Sequence, residues 1–306
     1  MNSSSVPAPA AAPGDQAGAL EVSGVTVRFA GLTALDGVSL TAAPRKVTGI
    51  IGPNGAGKTT LLNVLCGFVH PDAGRLRFDG ADLTGLRPHR LASLGIARTL
   101  QGVGLFPGLT VVENVMIGAT RHARAGFWSG LAGAGRSDHD EAALRDRALA
   151  VLDRAGVPGM AERLPGQLSF AHRKRVALAR ALVAEPRLLL LDEPASGLTE
   201  GELPDLGGLI SQLAADACVV VVEHRMDLMM SVCDSIAVLD FGKLIAFGPP
   251  RQVQADPAVT TAYLGVEEPG AEQPAAEDPR AEDPRAEEPG APEPGAPEPG
   301  AAGPRG

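Results

Sequence analysis

Apolar and polar positions along the chain fall into three textures. From about Leu20 they alternate: Val22, Val25, Val27 and Phe29 stand among polar or small residues, as in a half-buried strand. Leu188–Leu191 and Val219–Val222 are instead continuous apolar runs, which suits strands buried on both faces of a parallel sheet. Between about Leu105 and Gly166 the spacing is helical. Leu144, Ala148, Val151 and Leu152 share one helix face, with Ser137 as its expected cap and Gly156 and Pro158 as its end. Val38–Leu40 and Val47–Ile51 read as further strands, and Thr59–Leu65 as a helix stopped by Gly67 with Pro71 beyond. Ile236–Leu239 and Leu244–Phe247 flank Asp240-Phe241-Gly242-Lys243 as a hairpin. The order predicts an α/β fold interrupted by a helical insertion.

Both ends depart from this patterning. Residues 1–18 read as a flexible Ser/Ala/Pro-rich leader with no basic n-region, so not as a secretory signal. Residues 276–300 are five pentapeptides, AEDPR twice, AEEPG, then APEPG twice. A segment of that composition cannot bury enough apolar surface to order itself, so residues 266–306 are expected to be a disordered acidic tail. The tail also accounts for the charge. Of the net −9, residues 267–306 hold 11 acids and 3 Arg, a net of −8. The body is therefore nearly neutral, without the basic footprint of a nucleic-acid binder. Cys66, Cys218 and Cys233 are scattered and lack metal or disulfide spacing, which fits a reducing compartment. No apolar run approaches the roughly 18 residues of a membrane span, so any membrane role needs a membrane partner.

Four patterns carry chemistry. Gly52-Pro53-Asn54-Gly55-Ala56-Gly57-Lys58-Thr59 fits G-x-x-x-x-G-K-[ST] between a strand and a helix, continuing into Thr60. Glycines let successive N–H groups converge on phosphate, Lys58 reaches the β/γ-phosphates, and the Thr59 hydroxyl can ligate Mg²⁺. A chance match in a chain of this length is on the order of 1 %. Leu188–Leu191 ends in Asp192-Glu193, where ligands sit in parallel sheets; Asp192 is expected to hold Mg²⁺ and Glu193 to act as general base. Val219–Val222 ends in Glu223-His224, placing His224 to sense the γ-phosphate. Gln101 supplies a neutral oxygen that can join and leave a Mg²⁺ shell.

In this order the motifs resemble the nucleotide-binding subunits of ATP-binding-cassette (ABC) transporters, over about residues 19–265. The resemblance implies a P-loop NTPase with a RecA-like, mostly parallel sheet, an antiparallel β subdomain and a helical subdomain at about 105–182. Gly52–Thr59 looks like Walker A, Leu188–Glu193 like Walker B, Gln101 like the Q-loop residue and His224 like the switch histidine. Ser196–Thr199 sits where the D-loop belongs, and Phe29 matches the aromatic that stacks on adenine. Gly31–Ser39, Gly95–Thr99, Leu105–Thr110 and Asp256–Gly265 are similar to branched-chain amino-acid importer ATPases; related importers carry urea, amides or other small polar solutes. The implied partners are a second ATPase in a head-to-tail dimer, permease subunits and, indirectly, a solute-binding protein. The implied location is the cytoplasmic face of the membrane. Non-transport ABC ATPases tend to carry coiled-coil inserts or paired cassettes, which this chain lacks. A nucleotide-sensing module with little hydrolysis would sit poorly with Glu193 and His224. One departure stands out: the family signature L-S-G-G-Q is Leu168-Ser169-Phe170-Ala171-His172 here. Ser169 can cap the next helix, and Ser169 and Ala171 would face the partner's nucleotide. Ala171 adds a Cβ where phosphate must approach, so the partner's site is expected to be weakened.

Overall fold

The computed structural model describes residues 17–99, 102–119 and 136–264. Within them two sheets form. Strands β1 (Leu20–Phe29), β2 (Leu32–Ala42), β4 (Ala73–Phe78) and β5 (Ala81–Asp82) build an antiparallel sheet in the order β2-β1-β4-β5. Strands β3 (Val47–Ile51), β6 (Ile96–Arg98), β7 (Leu188–Asp192), β8 (Cys218–Val222), β9 (Ser235–Asp240) and β10 (Lys243–Gly248) build the other, in the order β10-β9-β3-β8-β7-β6. All neighbours in this second sheet run parallel except β10, the return arm of the hairpin from β9. The parallel sheet and the antiparallel one agree with the expected P-loop architecture.

The apolar runs explain the centre. β3, β7 and β8 are buried at every position. Because side chains alternate across a strand, each run feeds two cores. Leu189, Leu191, Val219, Val221, Ile236 and Val238 point into one, while Leu188, Leu190, Val220, Val222, Ala237 and Leu239 point into the other. The second core is closed by α1 (Lys58–Leu65) and the antiparallel sheet. The first is closed by α2 (Val111–Gly118), α3 (Arg136–Arg154), α4 (Phe170–Leu182), α5 (Leu203–Ala214) and α6 (Met226–Val232), with α7 (Pro250–Gln254) and α8 (Pro257–Leu264) at its edge. Truncating any one of the central leucines to Ala removes packing on the order of 2–5 kcal/mol.

Local chemistry sets the details. The alternation in β1 breaks between Val22 and Val25, where the register with β2 shifts. Gly24 takes φ 61° there and its N–H donates to Ser39 Oγ at 2.8 Å, so the extra residue is absorbed as a bulge. Phe29 is consequently at the strand's tip and half exposed rather than core. Ser137 lies within α3 (Arg136–Arg154), so it is helical rather than at the extended cap position expected of it. α2 has a complete capping box: Thr110 N–H donates to Glu113 Oε2 at 2.7 Å, and Glu113 N–H to Thr110 Oγ1 at 3.4 Å. Met229 is fully buried and Met226 and Met230 pack against the same core, so the methionines of this helix serve packing. Between β6 and β7 the described residues form helices and turns without a strand. Among the described residues no helix is long and apolar enough to cross a membrane.

Candidate nucleotide site

Strand register brings the predicted residues together. Ile50 pairs with Val222, and Val222 with Asp192, across three adjacent parallel strands. The carboxyl ends of β3, β8 and β7 therefore lie side by side, and each releases its motif there: Gly52 onward, Glu223-His224 and Asp192-Glu193. This is the edge at which ligands bind in parallel α/β sheets.

The loop from Gly52 to Thr59 is shaped by backbone conformations that glycine tolerates. Gly57 has φ 101°, and a Cβ there would lie 2.7 Å from Ala34 O and 2.9 Å from Leu35 Cδ2. Gly52 has φ 152°, and its Cβ would press on the carbonyl of Leu239. The loop is braced from outside, because Gly242 N–H donates to Ala56 O at 3.0 Å and Asp36 N–H donates to Gly242 O at 2.8 Å. Lys58 folds across it, donating to Gly52 O at 2.7 Å and Pro53 O at 2.8 Å. Burial lowers the Lys58 ammonium below the ordinary lysine range, opposed by the charge of Glu193. Asn54, Gly55 and Thr59 are exposed at the mouth, Pro53, Gly57 and Thr60 are partly covered, and Ala56 is buried. α1 starts without a side-chain cap and without an acid in its first turn. Its first N–H groups and positive dipole end thus suit an anion.

Asp192 is 3 % exposed, and its Oδ2 accepts from Arg98 Nη2 at 2.8 Å. Arg98 also donates to Asn63 Oδ1 on α1 at 2.9 Å and lies over the Phe68 ring. Asp192 N–H donates to Thr99 Oγ1 at 3.1 Å, which ties β7 to the strand that leads toward Gln101. Gln101 itself lies outside the described residues, as do the leader to residue 16 and the chain from 265 on. The donors Thr59 and Asp192 are hard oxygens, and one carboxylate with phosphate oxygens is the set Mg²⁺ prefers. Among the described residues no group of three His, Cys, Asp or Glu could hold a metal by itself.

Glu193 leaves β7 with φ 45°, a left-handed conformation rare for a residue with a Cβ. Its N–H donates to Val222 O at 2.9 Å. His224 is over half exposed, beside the fully buried Glu223. Ser169 caps α4: its Oγ accepts from His172 N–H at 3.2 Å and shares a second hydrogen bond with His172 Nδ1 at 2.9 Å. Ala171 and Lys174 line a cleft with Thr99, Asp192, Pro194 and Leu198. The three thiols are buried, which pushes Cys66 up to about 11 and Cys218 and Cys233 to about 12. They are inert at neutral pH.

Three partners escaped the sequence reading. Arg98 and Asp192 are 94 residues apart in the chain, and no local pattern links them. Asn114 is buried on α2; its Nδ2 donates to the carbonyls of Phe106, Leu109 and Thr110, and its Oδ1 accepts from Phe106 N–H. Glu223 did carry a signal, a charge directly after an apolar run, the same that marked Asp192.

Known proteins resemble this chain in sequence and fold. The model of the ABC transporter family matches residues 35–196, and that of the branched-chain amino acid ATP-binding cassette transporter matches residues 243–269. The high-affinity branched-chain amino acid transport ATP-binding protein BraF of Pseudomonas aeruginosa is 41 % identical over 248 residues, 80 % of this chain and 97 % of that protein. LivG of Escherichia coli, with the same description, is 37 % identical over 248 residues, again 80 % and 97 %. A crystal structure of the ADP conformation of an ABC transporter cassette matches with a TM-score of 0.71 at 32 % identity, covering 81 % of this chain and 99 % of that one. A dimeric bacterial ABC transporter cassette matches with a TM-score of 0.64 at 27 % identity, covering 76 % and 99 %. With the Gly52–Thr59 loop, the buried Asp192 and Glu223-His224 meeting at one sheet edge, and relatives matched over nearly their full length, the chain belongs to the ATP-binding, ATP-hydrolysing subunits of the ABC transporter family.

Proposed function

We propose that this chain powers import of branched-chain or closely related amino acids, from the cytoplasmic face of a membrane, as one of two ATPases beneath a pair of permease subunits. The observation that carries the catalytic part is the alignment of Gly52, Asp192-Glu193 and Glu223-His224 on three neighbouring strand ends. ATP binds with its phosphates on the Gly52–Thr60 loop and its adenine against Phe29. Thr59 and Asp192 would hold Mg²⁺, with Gln101 as a further ligand; when bound, the ion neutralises charge on the phosphates. Glu193 accepts a proton from the attacking water, and His224 stabilises the γ-phosphate. The partner's signature closes the site, and Ser169 and Ala171 of this chain close the partner's. The relatives' names support the solute class, and the matched dimeric cassette supports the paired arrangement.

Glu193→Gln tests the chemistry. We expect ATP binding to persist and steady hydrolysis to fall by about 10²-fold or more, the usual worth of a general base, with ATP trapping a closed pair. Normal turnover would remove Glu193 from that role. Uptake of labelled leucine into vesicles holding the assembled transporter, challenged with excess urea or an aliphatic amide, tests the cargo. Competition by urea or the amide but not by isoleucine or valine would reassign it.

A further inference from the structure

The turn Glu193–Ala195 is held by two charged side chains that the hydrolytic mechanism does not use. Lys174, on α4, donates from Nζ to Glu193 O at 2.9 Å and to Pro194 O at 3.1 Å. Glu223, at the end of β8, accepts from Ala195 N–H through Oε1 at 2.5 Å and from His224 N–H through Oε2 at 3.1 Å. Its side chain is 0 % exposed. A carboxylate at such depth is retained only when its oxygens are bonded and a cation answers its charge. Two N–H groups meet its oxygens, His224 Nδ1 lies 3.7 Å from Oε2, and across the turn stands Lys174, whose ammonium is lowered by burial against the opposing charges of Glu223 and Glu193. Lys174 in turn lies over the Phe170 ring, which packs against Gly197 so closely that a Cβ there would stand 2.6 Å from Phe170 Cε1.

The strain gives these bonds a purpose. Glu193 sits at φ 45°, a conformation that costs on the order of 1–3 kcal/mol and persists only when its surroundings over-determine it. The surroundings are its N–H on Val222 O, its carbonyl and the next on Lys174, and the following N–H on Glu223. Glu223 also bonds the N–H of His224, so one carboxylate joins the turn that carries Glu193, through Ala195, to the start of the His224 segment.

We propose that Lys174 and Glu223 act together as a positioning pair that sets the Glu193 turn and the start of the His224 segment in one fixed relation. Their bonds at this turn are to backbone groups. The pair also ties α4, whose cap Ser169 serves the partner's nucleotide, to this chain's own hydrolytic residues. The inference rests on the roles proposed above for Glu193 and His224.

The test uses the full chain in its assembled transporter. In Glu223→Gln one oxygen remains, and the amide NH₂ meets the second N–H. We expect kcat to fall about 10- to 100-fold, the effect of misplacing a reacting group by a fraction of an ångström to an ångström, with the KM for ATP and the affinity for a fluorescent ATP analogue unchanged. Lys174→Met should do the same, Lys174→Arg should recover most of kcat, and the double variant Lys174→Met with Glu223→Gln should lose no more than Glu223→Gln alone. If Lys174→Met fails to fold, Glu223→Gln and Lys174→Arg decide: the first should lose kcat at unchanged KM, and the second should keep most of it. Losses that multiply in the double variant, or that appear in KM rather than kcat, would overturn the pairing. Glu193→Gln is the control. If it abolishes turnover while Glu223→Gln leaves kcat intact, the pair is refuted and the base role stands; if Glu193→Gln turns over normally, the base role fails and the positioning proposal falls with it.

Discussion

Two helices in this molecule begin at turns proposed above to face nucleotide, and they begin in opposite ways. α1 starts after Gly57, with no side-chain cap and left-handed backbone at its N-cap. α4 starts after Ser169, with extended backbone and a side chain already bonded to the N–H of His172. The first turn has no side-chain cap on its donors and depends on steric permission: glycine where a Cβ would strike a neighbouring strand. The second satisfies its own donor and presents side chains, the Ser169 hydroxyl and the His172 imidazole. The difference teaches where each turn tolerates change. The glycine loop is constrained from behind, by Ala34, Leu35 and Leu239. The signature turn has Ala171 in ordinary helical backbone, so its departure from the family pattern costs this chain's own fold nothing and concerns only what faces it.

The sharpest break of that contrast is Gly57→Ala. A methyl group there meets the Ala34 carbonyl and Leu35 Cδ2 at distances under 3 Å, in backbone at φ 101°. Left-handed backbone alone costs about 1–3 kcal/mol for a residue with a Cβ, and backbone of β2 cannot give way cheaply. We expect loss of nucleotide binding by at least about 10²-fold, measured by titration with a fluorescent ATP analogue. Retained affinity would mean that the loop and β2 separate easily, and that the constraint from behind is not what shapes it.

The contrast also marks what could be read from the chain alone. The two apolar runs in β7 and β8, the loop glycines and the charges directly after each strand are local patterns, and the strand edge they predict is the one observed. The Arg98–Asp192 bridge, the four bonds of Asn114 and the grip of Lys174 on the Glu193 turn join segments far apart or exploit backbone carbonyls, which carry no sequence mark. Ser137 failed as a cap because a serine within a helix and a serine at its N-cap look alike until the backbone is known. The β1 alternation broke at Gly24 for a similar reason: a bulge changes the phase of a strand without changing its composition.

A milder intervention reverses the signature departure. Ala171→Gly with His172→Gln, in the assembled transporter, restores the family residues at the turn. We expect hydrolysis at the partner's site to rise by about 2- to 10-fold, the worth of one hydrogen bond gained or one steric obstacle removed, while the site built on Gly52–Thr59 keeps its affinity. Separate quench experiments with a Glu193→Gln background and with the partner's base removed would assign the change to one site. An unchanged rate and affinity at both sites would show that Ala171 and His172 are silent.

The smallest effect separates the two duties of Ser169. As a cap, its hydroxyl accepts one N–H of α4, and replacing a serine cap by Ala costs about 1 kcal/mol whereas Gly costs a few tenths. As a contact for the partner's nucleotide, the hydroxyl is lost equally in both replacements. Ser169→Ala should therefore lower the thermal midpoint of the isolated chain more than Ser169→Gly does, while the two variants slow hydrolysis in the assembled transporter to the same degree. The His172 imidazole complicates the picture in a useful way, because Nδ1 also bonds Ser169 Oγ at 2.9 Å and loses that partner in both variants. Its release cancels in the comparison of Ala with Gly, so a difference in midpoint between them reports the backbone cap alone. Equal midpoints would mean that α4, whose Val176, Ala177, Leu178, Ala179 and Leu182 are buried against the core, is held by packing and needs no cap, which leaves the proposed contact with the partner's nucleotide as the one duty of Ser169.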